Sequence, residues 1–192
     1  MATKVTKKEV AKEPVKTEEK VVTKTETKKP SQSSRLKEIK KNMKDIDVEI
    51  MNITGGTFYY EKGNDIVEMQ EPGETKVVSL DILLSMNRDF LNKLFISVVD
   101  CLDDYELEDI LTVLNISDTY KHIDVTLEGM DNFLMGASND EFDKKIRQMP
   151  DELIYRLVER AIILDKKNKF DSYAKRKSLE TRLNNPYLFK AV

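Results

Sequence analysis

The first 34 residues contain almost nothing that a fold could bury, so the hydrophobic core of this chain must come from downstream. Between Met1 and Ser34, Lys, Glu, Thr and Val recur, Pro14 and Pro30 interrupt, and Ser31-Gln32-Ser33-Ser34 closes the stretch. The apolar residues there are scattered valines with neither a helical nor a strand period. Such a segment cannot offset the entropy of its own ordering. A disordered tail is therefore expected over residues 1–34. This also accounts for a composition of 40% hydrophobic and 35% charged residues in a chain of 192: an ordinary core is diluted by a polar segment.

The two parts differ in sign as well. Residues 1–46 hold 14 Lys/Arg and 7 Asp/Glu, whereas residues 47–192 hold 18 and 28. A basic tail on an acidic body suits an arm that reaches for an anion, or a tether whose lysines keep it hydrated. From Arg35 the pattern changes: Leu36, Ile39 and Met43 recur at spacings of three and four among Lys37, Lys40, Lys41 and Lys44. Residues 35–46 are thus expected to form a short basic amphipathic helix or linker, followed by a single domain over 47–192.

That domain opens with strand signals. Val48, Ile50 and Asn52 alternate with Glu49, Met51 and Ile53, and Gly55-Gly56 offers positive φ for a tight reversal. Thr57–Glu61 is aromatic and β-branched and runs to the turn signal Gly63-Asn64; Ile66–Met69 and Thr75–Val78 follow around Pro72-Gly73. These features predict a small antiparallel β-meander. After residue 79 helices dominate, apart from the short β-branched run Phe95–Val99, which reads as a strand buried on both sides. Ser79, Asp103 or Asp104 and Asp171 are the expected helix caps, Thr126 is expected to start a short helix and Ser138 to Met149 to form another, and Pro150 is expected to open the strongest helix. In that helix Leu153, Leu157, Ala161 and Leu164 share one side, widened by Ile154 and Val158. The expected fold class is α+β, with a helix-rich C-terminal part.

Several chemistries lose ground on residue counts alone. One histidine, His122, precludes a multi-histidine metal centre within one chain, and no nucleophile elbow accompanies it. The single cysteine, Cys101, precludes an internal disulfide and is flanked by Asp100, Asp103 and Asp104 instead of the cations that activate a thiol. Asp100, Asp103 and Asp104 carry the oxygens a hard cation wants, but the fixed spacing of a calcium loop is missing and helix capping accounts for two of them equally well. The glycines do not follow a phosphate-loop or dinucleotide pattern. A non-enzymatic protein without cofactor, metal or small-molecule substrate is expected. No apolar run is long enough to span a bilayer, and the start lacks the apolar block of a secretory signal. Cytoplasmic synthesis without membrane association is therefore expected.

Nucleic acid is the partner class hardest to dismiss. The basic tail, with Lys40 and Lys41, and the C-terminal cluster Lys166, Lys167, Lys175, Arg176 and Lys177 are the candidate phosphate contacts. The stretch 150–183 also has the outline of a helix-turn-helix, although lysine-rich helix faces are commonly just solvated. Phe58, Tyr59 and Tyr60 lie on a strand, but alternation sends Tyr59 to the face opposite the other two, which suits core packing better than base stacking.

Pattern also carries a resemblance. The expected hairpin Val48–Glu61 leads to Pro72-Gly73-Glu74-Thr75-Lys76-Val77-Val78-Ser79-Leu80. Leu94–Asp100, Leu114-Asn115-Ile116-Ser117-Asp118-Thr119-Tyr120 and the terminal helices follow. This order resembles small, mostly uncharacterised virion or accessory proteins of tailed bacteriophages, and the lysine-rich leader resembles the arms of viral structural proteins. The resemblance implies a role in a virus particle or its assembly, among other protein subunits, and assigns no functional residue.

Overall fold

The computed structural model describes residues 31–190, with the side chains of Asn87 and Arg88 left aside. The disorder expected of residues 1–30 lies outside that range. Residues 31–34, expected to belong to the tail, instead start the first helix: α1 spans Gln32–Lys41 behind an extended Ser31. Its apolar stripe explains the extra turn, because Ile39 becomes fully buried and the turn before it is carried along. A 3-10 turn, Met43–Asp45, then leads into the strands.

The fold is α+β, and its strands are antiparallel but divided between two sheets. β1 (Asp47–Asn52) is central in a three-stranded sheet between β4 (Thr75–Ser79) and β5 (Ile96–Cys101), while β2 (Phe58–Lys62) and β3 (Asp65–Met69) form a separate hairpin. β1 therefore does not turn back on β2 as a meander requires. Neither Gly55 nor Gly56 adopts positive φ. The buried Asn52 organises this connection instead: its amide donates to the carbonyls of Gly56 (2.7 Å) and Glu71 (3.1 Å), and its oxygen accepts from the Thr54 N–H (3.0 Å). The loop is stitched open, and β1 is free to pair elsewhere. The turn into positive φ occurs at Gly63 (φ 64), which closes the β2–β3 hairpin in two residues. Gly73 (φ 86) follows Pro72 in a turn closed by Glu74 N–H to the Glu71 carbonyl at 3.2 Å, the arrangement of a type II turn.

Register follows burial. Val48 and Ile50 face one core, opposite Val78 and Lys76 on β4, and opposite Cys101 and Val98 on β5. Between Glu49 and Ile50 the β1–β5 register slips, so Val99 is the extra residue of a bulge. Ile96, Ser97 and Val98 are all buried, so the start of β5 is covered on both faces although it is an edge strand. Its outer edge is closed by the Tyr120 hydroxyl, which accepts from the Val98 N–H at 2.6 Å.

Helices make up the rest: α2 (Leu80–Met86), a π-helical turn (Asn87–Leu91), α3 (Leu107–Val113), α4 (Ser117–Tyr120), α5 (Leu127–Gly136), α6 (Asn139–Ile146), α7 (Asp151–Lys166) and α8 (Tyr173–Arg182). The helices expected to start at Thr126 and Ser138 do so, with the two side chains as caps that accept from the N–H groups of Gly129 (3.0 Å) and Glu141 (3.3 Å), although α6 ends at Ile146 and not at Met149. Three expected caps shift. Ser79 ends β4 and its hydroxyl donates to Asp81 at 2.6 Å. α3 starts only after Glu106, so neither Asp103 nor Asp104 caps it; the Asp103 carboxylate accepts from the Asp47 N–H at 2.7 Å and holds the end of β5 to the start of β1. The last helix is capped by Ser172, not Asp171.

Two buried clusters result. The first joins α1, the two sheets, α2 and α3 around Ile39, Ile50, Leu83 and Ile110. The second gathers α5 to α8 around Phe133 and Phe142, whose rings stack at 5.0 Å, together with the apolar side of α7. That side buries Leu153, Ile154, Leu157, Val158, Ala161 and Leu164, as its spacing predicts. Tyr120 packs against both clusters.

Candidate functional site

The basic candidates separate into buried and exposed groups. Lys175 lies one turn into α8, on the side that Leu179 buries, and is only 5% exposed. Its ammonium donates to the carbonyls of Leu134 (2.7 Å) and Met135 (3.4 Å), in the last turn of α5. Those carbonyls lack intrahelical partners and carry the negative end of the helix dipole, so a cation there is satisfied twice over. The ammonium also lies 5.6 Å from the Phe142 ring centre, and burial pushes its pKa down. No phosphate can reach it.

Arg176 is likewise engaged within the chain. Its guanidinium donates to the Phe170 carbonyl at 2.7 Å and pairs with Asp165 at 2.8 Å, fastening α8 to the end of α7. Arg182 does the same for α6 and α7, with hydrogen bonds to the Met149 carbonyl (3.1 Å) and Asp151 (2.6 Å). α8 thus packs on α6, with Lys175 and Leu179 buried four residues apart, and not as the free second helix of a helix-turn-helix. Lys177 remains outward, 3.5 Å from Glu180, and Lys166 and Lys167 are exposed at the end of α7. Lys40 and Lys41 are exposed in the last turn of α1, which packs on α3 in the other cluster. The seven candidates therefore form no single surface.

Beside α8 the structure assembles an aromatic and basic cleft. Asn184 (φ 50) reverses the chain after α8, and Pro186 to Lys190 folds back along it. The cleft holds about 360 Å³ and is lined by Tyr173, Lys177, Pro186, Phe189 and Lys190, with Glu180 at one wall. Tyr173 is 79% exposed and Tyr187 66% exposed, and the Lys190 ammonium stands 4.5 Å from the Tyr187 ring centre. Phe189 anchors the strip through Phe170, ring centres 6.2 Å apart. The apolar run Tyr187-Leu188-Phe189 is visible in the sequence; the participation of Tyr173 and Lys177 is not, because it depends on the reversal at Asn184.

A second, acidic groove of about 600 Å³ lies between α1 and the loop after β5. Glu38, Asp45, Asp103 and Asp104 line it together with Tyr105 and Arg35. Arg35 is committed to Asp109, Nε to Oδ2 at 2.5 Å, and no ion pair among the described residues engages the four carboxylates. Nothing in the sequence signals this groove, since its walls are about 60 residues apart and meet only through packing of α1 on α3.

The remaining reactive side chains sit as follows. Cys101 is buried at the end of β5, where desolvation raises its thiol pKa and disfavours the nucleophilic thiolate. His122 is half-buried in the loop after α4. Among the described residues, no three His, Cys, Asp or Glu side chains converge as metal ligands. No helix of the described residues is long and apolar enough to cross a membrane. No family model, curated protein or solved structure matches this chain.

Proposed function

We propose that this protein is a non-enzymatic structural or assembly protein that docks on other protein subunits, as a virion or accessory component of a bacteriophage. The observation that carries the docking role is the cleft beside α8, lined by the 79% exposed Tyr173 with Lys177 and Lys190, next to the 66% exposed Tyr187 against Lys190. Tyrosine combines a large apolar ring with a hydroxyl at low entropic cost, which is why it is enriched at the centres of protein interfaces. The phage setting rests on the order of elements and the lysine-rich leader in the sequence. In this reading the leader acts as a tether or arm.

Sedimentation of lysate from the source organism through a gradient, with mass spectrometry of the peak, tests the proposal. Co-migration with a very large particle that survives nuclease and moderate salt is the expected result. A small, discrete peak would refute it.

The runner-up is a nucleic-acid-binding regulator using the basic tail and the C-terminal helices, favoured by exposed Lys166 and Lys167, by Lys177 and Lys190 in the cleft with Tyr173, and by the exposed ring of Tyr187. It requires affinity for DNA or RNA that falls steeply with salt and falls again in Lys166→Ala/Lys167→Ala/Lys177→Ala.

A further inference from the structure

We infer that the aromatic, basic cleft beside α8 receives the acidic groove beside α1 of a second copy of this chain, joining copies head to tail. This rests on the assembly role proposed above and names one of its partners.

Three observations lead there. The first is the distribution of charge along the folded part. Residues 165–190 hold 8 Lys/Arg against 3 Asp/Glu, whereas residues 47–164 hold 10 against 25, and with Lys175, Arg176 and Arg182 engaged within the chain, Lys166, Lys167, Lys169, Lys177 and Lys190 remain exposed there. The second is that the two clefts share no residue and stand on different cores. Tyr173, Lys177, Phe189 and Lys190 rest on the α5 to α8 cluster, while Glu38, Asp45 and Asp104 rest on the cluster of α1 and the sheets. Each copy can therefore use both at once. The third is that, among the described residues, several of these charges have no ion pair. The carboxylates of Glu38, Asp45 and Asp104 and the ammonium of Lys190 have no ion pair among the described residues, and that ammonium stands 4.5 Å from the Tyr187 ring centre.

Complementary patches at different places on one chain make a heterologous contact, which propagates into a ring or a filament instead of a closed pair. Lysines meeting carboxylates would set the register and the association rate, and the tyrosines would supply the desolvated centre. Because the charged groups are on the rim, the contact should weaken as salt rises.

The experiment uses the purified full chain and two charge-reversed variants, Lys177→Glu/Lys190→Glu and Glu38→Lys/Asp104→Lys, all at exposed positions. Circular dichroism first checks that each folds. Sedimentation velocity at low salt over a concentration series should show the natural chain associating beyond a dimer. Each variant alone should lose association by more than about tenfold, since its two faces now repel. An equimolar mixture should recover it, because the unchanged basic cleft of one variant meets the unchanged acidic groove of the other.

A natural chain that stays monomeric at every concentration overturns the inference. So does a mixture that stays monomeric, or a single variant that associates as well as the natural chain. If the purified chain is monomeric yet co-migrates with a large particle in lysate, this inference fails while the assembly role stands. Failure in lysate removes both.

Discussion

The ammonium of Lys175 donates to the Leu134 carbonyl at 2.7 Å, across 41 residues of sequence, and so closes the C-terminal end of α5 with a side chain from α8. Replacing it by methionine keeps the stem and removes the donor. Two carbonyls then lose their partner, and a loss of about 1–2 kcal/mol is expected by urea denaturation at neutral pH, with the m-value unchanged.

The pH dependence of that loss has a definite sign. Burial lowers the folded-state pKa of Lys175 below its ordinary value of 10.5, so the unfolded chain keeps the proton to higher pH than the folded one. Stability from this group is smallest while both states are protonated, and it rises as pH climbs through the folded value toward 10.5. The difference between the natural chain and Lys175→Met should widen toward alkaline pH. A difference that narrows over that range would contradict the buried placement.

Tyr120 behaves in the opposite sense. Its hydroxyl is buried and its pKa raised above the ordinary 10.0, chiefly by desolvation. The unfolded chain therefore ionises first, and stability is lost as pH rises above 10.0. Tyr120→Phe leaves the Val98 N–H without an acceptor at the edge of β5, at a cost of about 1–3 kcal/mol. It should also abolish that part of the alkaline loss, so the two stability curves converge above 10.0.

Two glycines in α5 should respond differently to alanine. A Cβ on Gly129 would lie 2.5 Å from the Asp124 carbonyl oxygen and side chain. Asp124 cannot simply yield, because it accepts from both the N–H (3.1 Å) and the hydroxyl (3.0 Å) of Thr126, the cap of the helix. Gly129→Ala should cost about 1–3 kcal/mol, and thermal melting would read it. At Gly136 the added methyl meets nothing within 4 Å, so Gly136→Ala should be neutral or gain up to about 0.5 kcal/mol.

Cys101 offers a direct measure of local opening. Its thiol is buried and its pKa raised, so a thiol-reactive reagent should label the native protein slowly, with a burst of labelling only in denaturant. Rapid native labelling would mean that the end of β5 opens independently of the rest.

The helical stripes, the hairpin closed by Gly63-Asn64 and the helix starts at Thr126 and Ser138 were legible in the chain, because each is decided by neighbours within a few residues. The alternation of β1 was legible too, but not its partners. Asn52 is one polar residue in an apolar run, and only in three dimensions does its amide reach Gly56 and Glu71 and divert β1 from β2 toward β4 and β5.

The candidate cations show the same division. Lys175, Arg176 and Lys177 are three adjacent basic residues in sequence, and helical geometry sends them in three directions: to the end of α5, to Asp165, and to solvent. The sequence by itself determined that a polar, lysine-rich segment precedes an α+β body without clustered histidines or cysteines, since composition and short-range periodicity suffice for that. Only the tertiary structure decided which charges are spent on helix ends and which remain exposed beside Tyr173 and in the groove of Glu38. Burial and long-range electrostatic pairing depend on which distant elements pack together, and no local pattern encodes that.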